Sequence, residues 1–119
     1  MFSRLLSGLL GLKVISPEGL HQLIEKRGVT VIDVNARERF AEAHVPGALN
    51  LNPTGYQDRD LPQDKDASLV FYCSNSMCRK APNAARRARN MGYTNVQVMS
   101  SGIKGWVATK LPTGAGPKP

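Results

Sequence analysis

The sequence has few cysteines, few aromatic residues and no long hydrophobic run. Two cysteines among 119 residues exclude a secreted scaffold held by several disulfides. Together with His21 and His44 they show none of the paired spacings typical of a zinc site. The Leu-rich stretch at residues 1–12 is far shorter than the ~20 residues that cross a bilayer, which excludes a transmembrane helix there. We expect a cytoplasmic protein with functional thiols.

Carboxylates are missing from the C-terminal part of the chain. All nine Asp and Glu lie in residues 1–66, whereas residues 67–119 carry eight Lys and Arg, so the net charge of +7 arises there. A basic half either forms a solvated surface or attracts an anion, such as a nucleic acid, a membrane surface or a small substrate. Aromatic residues make up only 6% of the chain. Because bases stack on aromatic side chains, we expect no nucleic-acid partner.

The composition predicts one domain. Hydrophobic residues make up 41% and charged residues 21%, which is typical of a globular protein with a core. We predict an apolar N-terminal arm over residues 1–13, a domain over 14–111 and a flexible tail over 112–119. The arm places several Leu on one helical face, which suits packing on the domain or on a second subunit, or contact with a membrane surface.

Strand and helix signals alternate along the domain. Ser16 and Pro17 predict the start of a helix that ends at Gly28. Strands are predicted at 29–34, 48–51, 67–72 and 96–99, helices at 37–43, 80–91 and 103–109, and a loop at 52–66. This alternation predicts a three-layer α/β/α domain with a mostly parallel central sheet. Ligands of such sheets bind beyond the carboxyl ends of the strands, which directs attention to the residues after Tyr72.

A polar loop follows that strand, and a helix follows the loop. The loop reads Cys73, Ser74, Asn75, Ser76, Met77, Cys78 and Arg79. Backbone N–H groups and the positive end of the helix favour a thiolate and hold an anion. We therefore predict that Cys73 is a nucleophile, that Ser74–Arg79 bind an anion, and that Cys78 is a possible resolving thiol. The structural alternatives are a buried apolar Cys73, an inward-facing Cys78 and a solvated Arg79.

Several segments resemble a single-domain rhodanese. They are DVNARERFAEAHVPGALNL (Asp33–Leu51), Tyr72-Cys73, Gly92-Tyr93 and SGIKGW (Ser101–Trp106). The motif from His44 to Asn50 is similar to the family's most recognisable non-catalytic motif, in which we expect a turn at Gly47 and a structural hydrogen bond at His44, with Trp106 in the core. The resemblance implies a sulfurtransferase. Cys73 would take sulfane sulfur from a small anionic donor such as thiosulfate, become a persulfide, and pass the sulfur to a thiol or protein acceptor without a metal or cofactor.

The chain also departs from the rhodanese pattern. Asn35 and Arg39 replace the usual Arg and Glu, Ala43 replaces a Gly, and Ser76 lies near a frequent loop Gly. The C-x5-R spacing from Cys73 to Arg79 is similar to that of rhodanese-fold phosphatases and arsenate reductases. Two alternatives therefore stay open: a phosphatase or arsenate reductase, and a non-catalytic module that senses redox state or binds a partner. We expect a monomer or weak homodimer.

Overall fold

A computed structural model describes residues 11–119, so residues 1–10 of the predicted arm lie outside the described residues. The strands are β1 (Lys13–Val14), β2 (Thr30–Asp33), β3 (Leu49–Asn50), β4 (Ser68–Tyr72) and β5 (Asn95–Val98). The helices are α1 (Pro17–Glu25), α2 (Arg37–Glu42), α3 (Lys80–Asn90) and α4 (Gly102–Ala108), and a single 3-10 turn spans Asp58–Asp60. Every predicted strand and helix is present, and the predicted and observed ends differ by at most three residues.

The five strands form one parallel sheet in the order β1-β5-β4-β2-β3. The register places Asp33 beside Tyr72 and Phe71 beside Val98. The ends of β2, β4 and β5 therefore meet at the same edge. The sheet confirms the predicted fold class, and β4 lies at its centre, flanked by β2 and β5.

Two hydrophobic clusters cover the two faces of the sheet. Leu69 and Phe71 face α3, whose alanines allow it to pack closely against the strands. Val70 and Tyr72 face the other way, toward Leu20 of α1, Phe40 of α2 and Trp106 of α4. Alternate side chains of β4 thus enter different layers, as the pleat of a strand requires. The three layers of the predicted fold are all present.

A local signal explains where α1 begins, whereas the end predicted at Gly28 differs from the observed end at Glu25. The side chain of Ser16 accepts a hydrogen bond from the N–H of Gly19 at 3.0 Å, and Pro17 is the first helical residue. The start therefore follows the predicted capping pattern. The left-handed residue at the other end is Arg27, with φ of 56°, and not Gly28.

The segments at both domain borders contact the sheet or α2. Leu12 is fully buried, and Lys13 pairs with Gln97 of β5. Gly114 exchanges two backbone hydrogen bonds with His44, and the N–H of Gly116 donates to the carbonyl of Ala41. The first part of the predicted tail is therefore hydrogen bonded, and the flexibility of residues 112–119 stays a prediction. Among the described residues, no helix has the length and apolarity to span a membrane.

Candidate active site

Cys73 directly follows β4 at the carboxyl edge of the sheet. Its side chain is 3% exposed, and it borders a cleft of about 420 Å³. Residues 76–79 of the loop form one wall of this cleft, and the first turns of α3 form another, whereas Ser74 and Asn75 are not among its lining residues. The cleft opens where Cys73 was predicted to act, at the end of a central parallel strand.

Cys78 is bonded to Cys73 in the structure. The two residues form a disulfide with 6.4 Å between their Cα atoms, which is within the usual range for such bonds. Both cysteines of the chain are therefore oxidised. Cys78 is half-buried and lines the same cleft, so the loop brings together the two thiols that the sequence singled out.

The first residues of α4 form hydrogen bonds to the backbone of the loop. The N–H of Ile103 donates to the carbonyl of Cys73 at 2.9 Å, and the N–H of Lys104 donates to the carbonyl of Ser74 at 3.0 Å. Gly102 makes this approach possible: its φ is +68°, and a Cβ atom there would lie 2.5 Å from the carbonyl carbon of Ser74. Only glycine suits this position, because any side chain would collide with the backbone after Cys73.

Asn75 organises the loop internally. Its side-chain oxygen accepts the N–H of Met77 at 2.9 Å, and its carbonyl accepts the N–H of Cys78 at 3.2 Å. These two N–H groups are therefore occupied within the loop. In the described part of the chain, the N–H groups of Ser76 and Arg79 form no hydrogen bond to the protein. In this oxidised form, therefore, not every N–H group of the predicted segment from Ser74 to Arg79 is available to bind an anion.

Two arginines give the cleft a positive charge. Arg79 is exposed at the N-terminal end of α3, and Arg86 borders the cleft one helical turn beyond Pro82. Across residues 11–119 neither arginine forms an ion pair. The residues that line the cleft include no Asp, Glu or His. The cleft is thus suited to a small anion.

A buried polar network lies beneath the loop. The hydroxyl of Ser74 donates to the side-chain oxygen of Asn35 at 2.7 Å, and the N–H of Asn35 donates to the Asp33 carboxylate at 2.8 Å. Asn50 donates to the carbonyls of Asp33 and Asn35, at 3.1 and 2.9 Å. Asn35, which departs from the rhodanese pattern, therefore connects the end of β2 to the loop. No local pattern predicts this network, because its bonded partners Asn35 and Ser74 are 39 residues apart in the sequence.

Asp33 is fully buried in this network. Burial raises the pKa of Asp33 above its ordinary value of 3.8, and the nearby hydroxyl of Tyr72 and the N–H of Asn35 oppose only part of that rise. One oxygen of Asp33 and the side-chain nitrogen of Asn35 form no hydrogen bond within residues 11–119. The absence of carboxylates after residue 66 therefore does not mean that no carboxyl group lies near the loop in space.

The remaining motif residues have structural roles. The ring of His44 donates from Nδ1 to the carbonyl of Phe40 at 2.7 Å, Gly47 has φ of +84° in a turn, and Trp106 is fully buried. These three expectations are confirmed. No group of three or more His, Cys, Asp or Glu that could hold a metal ion occurs in the part of the chain that the structure describes.

Comparisons with known proteins agree with this geometry. The chain is 27% identical over 100 residues to the thiosulfate sulfurtransferase GlpE of Haemophilus influenzae, covering 84% of this chain and 92% of GlpE. It is 30% identical over 111 residues to the dual specificity phosphatase Cdc25 of Arabidopsis thaliana, covering 82% of this chain and 75% of that protein. A transcriptional regulator of Mycobacterium tuberculosis, Rv0324, is 34% identical over 88 residues, covering 74% of this chain and 38% of the regulator. The chain thus spans well under half the length of Rv0324.

A solved structure and a family match complete the comparison. The BH2092 protein of Bacillus halodurans has the same fold, with a TM-score of 0.78 at 22% identity, covering 95% of this chain and 83% of that one. Residues 16–109 match the rhodanese-like domain family. The match covers most of the chain and includes β2, β4, the cysteine loop and α4. This chain therefore belongs to the rhodanese-like domain family.

Proposed function

We propose that this protein is a sulfurtransferase that carries sulfane sulfur on Cys73. The thiolate of Cys73 attacks the outer sulfur of thiosulfate, the S–S bond of thiosulfate breaks, and sulfite leaves with the electron pair. Cys73 then bears one extra sulfur atom as a persulfide. An acceptor thiol attacks that outer sulfur, which restores the Cys73 thiolate and leaves the persulfide on the acceptor.

The position of Cys73 carries this proposal. Its sulfur borders a cleft that also contains Arg79 and Arg86, two cations without a carboxylate partner in the described residues. The N-terminus of α3 adds partial positive charge at the same place. A doubly charged donor such as thiosulfate matches this field, and the unpaired N–H groups of Ser76 and Arg79 suit its oxygens. The likeness to GlpE over most of both chains supports the same class of substrate.

The proposed reaction starts from the reduced protein. In the structure the Cys73 sulfur is bonded to Cys78, so it cannot attack a donor until that bond is cleaved. Only the thiolate is the nucleophile. An assay of sulfur transfer therefore begins with reduction of the disulfide and removal of the reductant.

A phosphatase or arsenate reductase is the second candidate. The C-x5-R spacing and the 30% identity to the Arabidopsis phosphatase favour it. A phosphatase usually needs a general acid to protonate the leaving oxygen. The cleft lining contains no carboxyl or imidazole group, which favours a leaving group such as sulfite that departs without one. Hydrolysis of an aryl phosphate, or arsenate reduction that needs both thiols, would favour the second candidate.

A non-catalytic redox or partner-binding module is the third candidate. Asn35 and Arg39, which replace the family's usual residues, motivate it. The pH dependence of alkylation by iodoacetamide separates it from the enzymes, because a catalytic Cys73 thiol should have a pKa well below the ordinary ~8.5. A Cys73 that titrates near the ordinary value would favour the module. The cytoplasmic location and the monomer or weak homodimer stay predictions.

Sulfite release in a single turnover tests the proposal. Reduced wild type, Cys78→Ser and Cys73→Ser are each mixed with thiosulfate in the absence of oxygen, and sulfite is measured. We expect sulfite in an amount equal to the protein from wild type and from Cys78→Ser, and none from Cys73→Ser. The Cys78→Ser variant is the matched control, because it makes the same replacement of sulfur by oxygen at a position five residues from Cys73. Absence of sulfite from both proteins that retain Cys73, with thiosulfate and other sulfane donors, would reject the proposal.

A further inference from the structure

The disulfide shows that the Cys78 sulfur reaches the Cys73 sulfur without unfolding the loop. The Cys78 N–H is still hydrogen bonded to the carbonyl of Asn75, and the Cys73 carbonyl is still held by the N–H of Ile103. The bonded pair borders the cleft in which the proposed donor would bind. The Cys78 thiol is therefore placed to react with a group that is bound covalently to Cys73.

We propose that Cys78 resolves the Cys73 persulfide and releases sulfide, so that the protein acts as a sulfane-sulfur reductase. This inference rests on the proposed function, because it starts from the persulfide. The thiolate of Cys78 attacks the Cys73 Sγ atom, the bond from that atom to the outer sulfur breaks, and the outer sulfur leaves as HS⁻ with the electron pair. The two cysteine sulfurs are oxidised to the disulfide, and the sulfane sulfur is reduced to sulfide. The protein ends in the state that the structure shows.

Geometry favours attack on the inner sulfur. In the structure, Cys78 is bonded to the Cys73 Sγ atom itself, which is the inner sulfur of the persulfide. The outer sulfur would extend beyond that atom. The N-terminus of α3 and Arg79 lie next to Cys78, and both favour its thiolate form. Attack on the inner sulfur is favourable because HS⁻, the group that departs, is a good leaving group in thiol exchange.

Turnover then needs a dithiol reductant of small-molecule or protein type. Cys73 is 3% exposed, whereas Cys78 is half-buried in the lining of the cleft and is the more accessible of the two. An incoming thiolate therefore reaches the Cys78 sulfur first, and Cys73 leaves as the thiolate that starts the next cycle. The second thiol of the reductant frees Cys78, so two electrons enter for each sulfide released. The overall reaction converts thiosulfate and a dithiol to sulfite, sulfide and a disulfide.

Single-turnover products test this inference. The reduced proteins are mixed with thiosulfate without oxygen and without added thiol, so no outside oxidant can form the disulfide. Sulfite, sulfide and intact protein mass are measured together. We expect wild type to release equal amounts of sulfite and sulfide and to lose both thiols. Cys78→Ser, and Cys78→Ala as a second variant, should release sulfite without sulfide and retain one added sulfur atom.

The outcomes separate the two proposals. If wild type releases sulfite but keeps a stable persulfide, as the Cys78 variants do, the role of Cys78 is overturned and sulfur transfer stands. A persulfide located on Cys78 by peptide mapping would overturn it as well, because it would show attack on the outer sulfur. If neither wild type nor the Cys78 variants release sulfite, sulfur transfer fails and the role of Cys78 fails with it.

Discussion

Replacement of Gly102 by alanine should damage the cysteine loop in two separable ways. Gly102 has φ of +68°, a conformation that is unfavourable for a residue with a side chain. Its Cβ atom would also lie 2.5 Å from the Ser74 carbonyl carbon, 2.6 Å from the Asn75 nitrogen and 2.7 Å from the Cys73 oxygen. All three are backbone atoms, so no side chain can rotate away to relieve the collision. Either α4 or the loop must move.

Other glycines of this chain calibrate the two effects. Gly47 has φ of +84° but open space around its Cβ position, so Gly47→Ala measures the conformational cost alone. That cost is roughly 1–2 kcal/mol. A forced collision in a packed region adds about 1–3 kcal/mol. We therefore expect Gly102→Ala to lower the free energy of unfolding by roughly 2–5 kcal/mol, and Gly28→Ala, which has neither problem, to change it little.

Urea unfolding of the three variants measures these costs, and sulfite release measures the loop. Displacement of the loop should also slow sulfite release by Gly102→Ala, measured at urea concentrations at which this variant is folded. Gly47→Ala should release sulfite at the wild-type rate. If Gly102→Ala matched Gly47→Ala in both its unfolding free energy and its rate of sulfite release, α4 would not support the loop in the way that we describe.

Three further predictions concern the network and the charge of the cleft. Ser74→Ala removes a hydrogen bond to Asn35 and should cost about 1 kcal/mol in urea unfolding; no loss would mean that the bond is unimportant in solution. Burial raises the pKa of Asp33, so its contribution to stability is fully present below its unfolded value of 3.8 and is lost as pH rises through the folded value. The unfolding free energy of wild type minus that of Asp33→Asn should therefore fall as pH rises above about 4, and a pH-independent difference would contradict this. Arg79→Gln should raise the thiosulfate concentration needed for half-maximal sulfite release, and this concentration should depend less on salt than it does in wild type. Arg59→Gln is the control, because Arg59 is exposed and does not line the cleft.

Local patterns were sufficient to predict the helices and four of the strands of the fold, but not β1 or the 3-10 turn. Burial can be predicted from the residue pattern of a single element in two places: the β-branched run that contains β2, and the alanine face of α3. β1 was missed because two residues, Lys13 and Val14, are too few to show a period. They form a strand only because β5 offers an unpaired edge, which is a tertiary effect.

The candidate site was predictable only where it is continuous in sequence. Cys73, Cys78 and Arg79 lie in one short segment between a strand and a helix, so their proximity could be predicted from spacing. The supports of the loop come from elsewhere: Asn35 from the end of β2 and Gly102 from the start of α4. Gly102 belongs to a segment that resembles the rhodanese family, but its contact with the loop depends on the fold and is not visible in the sequence.

The mass of the reduced Cys78→Ser protein after incubation with thiosulfate tests the central claim most directly. This variant retains Cys73 as its only cysteine and lacks the thiol that we propose would remove the persulfide. We predict a gain of one sulfur atom, located on Cys73 by peptide mapping and absent from Cys73→Ser. An unchanged mass with thiosulfate and with other sulfane donors, in a folded protein, would contradict it.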